Sequence, residues 1–200
     1  MESGYIIFGM GDQSRYVEEI LLHENTVHRT LWPTDIDLNK HRYGIVAMGD
    51  NFEREKVSKE ILEKYPDFIF INAIHPSCII ADDVWLLNRG IIAMAGCIFN
   101  VGAEVGDFTF FATGAQIEHD CKIGDYASVS AGSVLGGHVT VGKYAAIALG
   151  CTIFDRVKIG ENTVVGSGSL VTKDLPNDVL AYGSPAKVIR KRERGERWLK

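Results

Sequence analysis

Acid–base chemistry near neutral pH most often falls to histidine, and this chain has six: His23, His28, His41, His75, His119 and His138. The first three fall in or beside a predicted helix and its loops, and His75 precedes Pro76 in a link, so these four read as surface or structural residues. His119 differs, because it is followed directly by an acid in Ile117-Glu118-His119-Asp120-Cys121. An imidazole next to a carboxylate can collect the proton of an attacking amine or hydroxyl. His138, after Gly136-Gly137, is open to either a functional or a spectator reading. A second kind of chemistry is suggested by Gly9-Met10-Gly11-Asp12-Gln13-Ser14, where glycines let the backbone approach an anion at a helix start. Ser14 stands where a dinucleotide fingerprint needs its third glycine, so NAD is disfavoured. Asp35 or Asp37 could accept hydrogen bonds from a ribose or base. The four cysteines, Cys78, Cys97, Cys121 and Cys151, form no CxxC pair, and no metal site is expected.

The element that carries His119 is a repeat. Counting in sixes from Val105 gives Phe111, Ile117, Ile123, Val129, Leu135, Val141, Ile147, Ile153, Ile159, Val165 and Val171, all apolar. A helix period of 3.6 does not keep every sixth residue apolar, and no single strand runs over this distance, so the segment is a solenoid. The register extends back through Phe99, Ala93 and Leu87, which predicts about five turns of three hexads. Glycines Gly106, Gly124, Gly136, Gly142, Gly160 and Gly166 fill the second hexad place and are expected to make the corners. Glu118 breaks that small-residue rule beside His119. The fifth place is small or β-branched and takes Cys97, Cys121 and Cys151 as inward core residues.

Before the repeat, Tyr5-Ile6-Ile7-Phe8, a glycine turn and a helix bearing Val17, Ile20 and Leu21 form one strand–helix unit. Gly44-Ile45-Val46-Ala47-Met48, the turn Gly49-Asp50-Asn51 and a helix from about Phe52 to Lys64 form another. Asp67 to Ile71 reads as a closing strand, so a small parallel sheet covered by helices is predicted. The chain thus divides into an α/β unit over 1–72, a β-solenoid over 73–178 and an exit with a basic tail over 179–200. At 46% hydrophobic and 24% charged residues the composition is that of a globular protein. A net charge of −5 argues against a general nucleic-acid binder. The tail from Lys187 to Lys200 is nonetheless +5, which suits either solvation or an anionic ligand. No stretch approaches the roughly 18 apolar residues of a membrane span, and the cysteine usage fits a reducing cytoplasm.

The hexads, with Gly183-Ser184-Pro185-Ala186-Lys187 after them, resemble the hexapeptide-repeat acyltransferases. The small domain narrows the likeness to the sialic-acid O-acetyltransferase and nucleotide-amino-sugar N-acetyltransferase family. That resemblance implies a mostly β fold, a left-handed parallel β-helix preceded by a small Rossmann-like α/β domain. It implies a homotrimer that uses acetyl-CoA and no metal to acetylate a nucleotide-linked amino sugar in bacterial glycan (polysaccharide) biosynthesis, by direct attack without an acyl-enzyme. It makes His119 the general base and Asp120 its orienting acid. The backbone N–H of Gly137 becomes the oxyanion donor, Ser167 a contact to the pantetheine arm, and Lys187, with Arg190, a neighbour of the phosphates. The acceptor falls to Gly9, Gly11, Asp12, Gln13, Asp35 and Asn51, with Glu118 beside the reacting centre. Two departures bear on the acceptor: Asp12-Gln13 stands where many relatives have Gly-His, and Ser128 where some carry a second histidine. Gln13 can hydrogen-bond but not titrate. O-acetylation of sialic acid or another sugar, transfer of a longer acyl chain and a non-catalytic solenoid are the rival readings.

Overall fold

The computed structural model describes residues 5–9, 11–22, 27–30 as backbone, 42–84 and 88–198. Strand β1 (Tyr5–Phe8) leads into α1 (Asp12–Leu22), followed by β2 (Val27–Thr30), β3 (Tyr43–Val46), α2 (Asn51–Lys64) and β4 (Ile69–Phe70). The four strands form one parallel sheet in the order β2-β1-β3-β4. Helix α1 starts because Ser14 ties back to the Gly11 carbonyl through both its N–H and its hydroxyl, at 3.1 and 2.6 Å. Helix α2 starts at Asp50, whose carboxylate accepts from the N–H groups of Phe52 and Glu53 at 3.1 Å, satisfying donors that a helix start leaves orphaned. The apolar stripe Val17, Ile20 and Leu21 of α1 and the pair Val57 and Ile61 of α2 are buried, as their spacing predicts.

From Ala73 to Val171 the described chain is a three-faced parallel coil. Phe110 pairs with Ser128 and Ser128 with Ala146, so one turn takes 18 residues, or three hexads. The first face stacks Ala73–Ile74, Ile92–Ala93, Phe110–Phe111, Ser128–Val129, Ala146–Ile147, Val164–Val165 and Val179–Gly183. The second runs from Ile79–Ile80 to Leu170–Val171, and the third from Glu104–Val105 to Lys158–Ile159. The coil therefore begins a turn earlier than the sequence period shows. Ala73 pairs with Ile92 and Ile79 with Ile98, an offset one residue longer than in the regular turns, and this breaks the hexad phase. Leu87 lies outside the described residues. The first-place residues from Val105 onward form a continuous core with Cys97, Cys121 and Cys151, each fully buried and unpaired in a disulfide.

The corners correct one expectation. The second-place glycines are not the residues that bend the chain. They lack a side chain because a Cβ at Gly124 would lie 2.7 Å from the Lys143 nitrogen of the next turn. The bend falls at the fourth hexad place, where φ is positive in every regular turn. At the first corner, between first and second faces, this place is Gly96, Gly114, Gly132, Gly150 and Gly168. At the second it is Gly102, Asp120, His138 and Arg156, and at the third Gly90, Phe108, Tyr126, Tyr144 and Asn162.

The small domain packs on the first face and the third corner. Ile7, Val17 and Ile45 share a cluster with Ile92, Met94 and Phe110 of the coil. On the other side of the sheet, Phe8, Val57 and Phe70 cluster with Phe108, Tyr126 and Tyr144. The Phe108 and Tyr126 rings stack at 5.1 Å, Tyr126 and Tyr144 at 5.7 Å, and Phe52 of α2 closes the pile on Tyr144 at 4.6 Å. Each such ring pair contributes roughly 0.5–1.5 kcal/mol beyond its burial.

Candidate active site

His119 and Asp120 occupy the third and fourth places of the second corner. The positive φ of Asp120, 58°, turns its carboxylate back on its neighbour, and His119 Nδ1 lies 2.9 Å from Asp120 Oδ2. With Nδ1–H donating to the carboxylate, Nε2 is left as the basic nitrogen. The hydrogen bond from His119 holds the Asp120 carboxyl below its ordinary range, with the charges of His138 and Arg156 adding to the effect. His138, one turn above Asp120, points Nε2 at the same Oδ2 from 3.7 Å, and its ring meets the His119 ring edge to face at 5.0 Å. One carboxylate thus faces two imidazoles.

Gly137 sits one turn above His119. A Cβ there would lie 2.5 Å from His119 Nε2, so any side chain would fill the space in front of the base. Its N–H donates to Asp155 Oδ1 at 3.0 Å, and a carbonyl oxygen must displace that carboxylate to reach it. Asp155 is a residue that sequence reasoning missed. A signal existed, because Asp125 and Asn177 accept from the N–H groups of Asp107 and Glu161 one turn below in the same manner. Glu118 is braced by Asn100, whose amide donates to it at 2.9 Å.

Ser167 is exposed on the third place of the first corner, along the column of Thr113, Ala131 and Leu149. One chain therefore holds Ser167 on a different edge of the coil from His119 and Gly137. Lys187 is exposed on the second strand of the terminal hairpin, Val179–Gly183 with Ala186–Lys191. Arg190 is engaged by Glu196 at 2.5 and 3.0 Å instead of standing free for phosphates.

The acceptor residues expected in the small domain separate. Gly9 allows the close approach of β1 to β3, since a Cβ there would meet the Ala47 carbonyl oxygen at 2.5 Å. Gly11 and Asp12 are exposed at the start of α1, and Gln13 is half-buried. Asp35 lies outside the described residues. Asn51 is turned away from this turn and fully buried. Its amide donates to the Tyr144 and Ala145 carbonyls at 2.9 and 3.2 Å, and its oxygen accepts from Ser128 Oγ at 2.5 Å and Arg54 at 3.0 Å. Asn51 and Ser128 are thus a seam between the domains, with no hydrogen-bonding capacity left for a nucleotide. Arg54, which the sequence did not single out, is the centre of that seam. It donates to the carbonyls of Met48, Phe108 and Tyr126 at 2.7 to 3.0 Å, and burial lowers its pKa to about 10.

A crevice of about 250 Å³ opens between the small domain and the first face. It lies at the carboxyl ends of β1 and β3, where the strand order reverses, the usual ligand position in an open parallel sheet. Gln13 and Gly49 line it from the small domain, Phe110 and Ser130 from the coil, and Trp198 from the chain's end. A larger groove, about 640 Å³, runs along the third face past Glu104, Lys122 and Thr140 and includes none of the expected site residues. Among the described residues, His119, Asp120 and His138 are also spaced closely enough to hold a metal ion.

The family model for the bacterial transferase hexapeptide (six repeats) matches residues 102–137, a window containing His119, Asp120 and Gly137. The structure of PerB from Caulobacter crescentus in complex with CoA and GDP-perosamine superposes with a TM-score of 0.88 at 32% identity, covering 94% of this chain and 98% of that one. The acetyltransferase domain of PglB from Neisseria gonorrhoeae, in complex with acetyl coenzyme A, shares the fold at 20% identity and a TM-score of 0.84, covering 94% and 100%. A shorter match, 61% identical over 31 residues, is to a candidate acetyltransferase of Schizosaccharomyces pombe and spans 16% of this chain and 15% of that protein.

Proposed function

Given that the chain belongs to the hexapeptide-repeat sugar acyltransferases of the sialic-acid O-acetyltransferase and nucleotide-amino-sugar N-acetyltransferase family, we propose that it moves acetyl from acetyl-CoA to the amino group of a nucleotide-linked amino sugar. The observation that carries the reading is the His119–Asp120 pair at 2.9 Å with Nε2 facing the clearing left by Gly137. The neutral amine attacks the thioester carbonyl, and the C–N bond forms as the carbonyl electrons move to oxygen. His119 Nε2 takes the amine proton as the tetrahedral intermediate forms or collapses, and Asp120 supports the imidazolium. The C–S bond then breaks and the CoA thiolate leaves with a proton. The N–H of Gly137, released from Asp155, is the donor for the oxyanion.

Two copies supply one site in this reading. Ser167 and the crevice lie towards the first corner and His119 on the second, so a neighbouring coil in a homotrimer must bring the edges together, with Lys187 near the CoA phosphates. Gln13, Gly9, Gly11 and Asp12 hold the nucleotide, and Glu118 lines the approach to the base. No helix among the described residues is long and apolar enough to cross a membrane, and the cytoplasm, which supplies acetyl-CoA, is the proposed compartment. The test is a panel of GDP-, UDP-, dTDP- and CMP-linked sugars, with and without a free amine, assayed for thiol release from acetyl-CoA. Turnover with an amino sugar linked to a nucleoside diphosphate is expected. Turnover only with sialic acid, free or CMP-linked, would replace N- by O-acetylation.

A further inference from the structure

As far as Trp198, the last described residue, the basic tail does not run into solvent. After the terminal hairpin it reverses and crosses back to the small domain. Arg192 is buried, with its Nε donating to the Asn162 carbonyl at 3.2 Å and its Nη2 to that of Glu196 at 2.6 Å. Arg194 lies over the Tyr144 ring at 5.3 Å, and Arg197 reaches Glu53 of α2 at 2.9 Å. These contacts deliver Trp198 to the crevice, across from Gln13 and Gly49. Its indole Nε1 is buried behind the ring's exposed part without a hydrogen-bond partner among the described residues. An indole N–H is a donor with no acceptor alternative, and buried donors are normally paired. A flat ring at the wall of a cavity calls for a flat ligand that stacks on it, and the unspent donor is closed to solvent as the ring stands.

We infer that Trp198, carried on the C-terminal strap, is a wall of the acceptor's nucleotide subsite, stacking on or edging the base. This rests on the acceptor class proposed above and adds to it a specificity-determining residue from the opposite end of the chain. The crevice volume, about 250 Å³, is below the roughly 300–1,000 Å³ of sites that enclose a whole drug-sized ligand. It suits a base and ribose, with the diphosphate and sugar leaving towards the α1 start and the neighbouring coil. The hydroxyl of Ser130 and the amide of Gln13 are donors and acceptors at its rim.

The test uses the full-length enzyme, and its substitutions touch neither His119 nor Asp120. Stacking on an aromatic side chain is worth about 1–3 kcal/mol per base, so Trp198→Ala should raise the acceptor KM at least fivefold. The acetyl-CoA KM and kcat should stay within twofold. Trp198→Phe keeps a ring and should recover most of the KM. It should also abolish the quenching of intrinsic fluorescence by the matching nucleoside diphosphate, leaving only Trp32 and Trp85 to report. Arg197→Ala, which cuts the strap from Glu53 without entering the crevice, should raise the acceptor KM by less than Trp198→Ala. A wild type that binds a nucleoside diphosphate with an affinity unchanged in Trp198→Ala overturns the wall and leaves the acceptor class standing. A wild type that binds none of GDP, UDP or dTDP overturns the acceptor class itself, and the wall with it.

Discussion

The second and third corners of the coil use the same backbone and put it to opposite ends. Asp120 and His138 at one, Phe108, Tyr126 and Tyr144 at the other, all adopt φ between 53° and 58° at the fourth hexad place. A non-glycine residue gives up about 1–2 kcal/mol to stay there, and the first corner avoids that cost with glycine in its five regular turns. At the third corner the loss is offset by packing, since the three rings are at most 7% exposed and stacked between α2 and the coil. At the second it is not, because the Asp120 and His138 side chains are 51% and 39% exposed. Strain kept without packing in return is a mark of function. The repeat fixes the slot, and what lies outside the slot decides whether chemistry or cohesion fills it.

The comparison predicts a clean division of effects. His119→Ala should lower kcat by about 10²–10⁴-fold, the range for loss of a general base, while Tm and CoA affinity stay close to wild type. Activity within tenfold of wild type would remove His119 from the base role and the second corner from its place in the contrast. Arg54→Met should do the reverse. It strands the carbonyls of Met48, Phe108 and Tyr126 in a buried seam, and each such orphan costs about 1–3 kcal/mol. After partial relaxation we expect a loss of about 3 kcal/mol, or roughly 6–12 °C in Tm for a chain of this size. Calorimetry that finds Tm unchanged would mean that the third corner does not hold the domains together.

What could be read beforehand follows from which interactions are periodic. The hexads were legible because each turn repeats at 18 residues from Ile92 to Val165, so inward residues keep one phase. The His119–Asp120 pair was legible because it is local in sequence. The entry turn was not, since one added residue before Ile92 shifts its register. The fourth-place bend was hidden for another reason: its occupants change from glycine to aspartate to tyrosine according to what packs outside. Asn51, Arg54 and Ser128 were misread or missed because their partners lie 54 to 94 positions away, and a charged residue on an amphipathic helix looks solvent-facing until another surface covers it. The tail shows the same limit. Its charge of +5 is visible in the sequence, but the reversal that pairs Arg190 with Glu196 is not.

That pairing gives the smallest effect and the finest probe of the seam between coil and small domain. The hydrogen bond from Arg190 depresses the Glu196 carboxyl to about 2. Its value in the unfolded chain is higher, near the ordinary glutamate range, so the folded state binds this proton less readily than the unfolded one. The stabilisation is therefore fully present above about pH 4.5 and is lost as pH falls towards 2. Because Glu196 is partly exposed, solvent screening keeps its contribution small, and the global transition should barely register it. The strap should respond first. Acidification from pH 5 to 3 should shift intrinsic emission to the red, in a component that Trp198→Phe removes, before far-ultraviolet circular dichroism changes, and Glu196→Gln should show the shifted emission already at pH 7. If emission and circular dichroism change together in both proteins, the strap is no more separable from the coil than the third corner is.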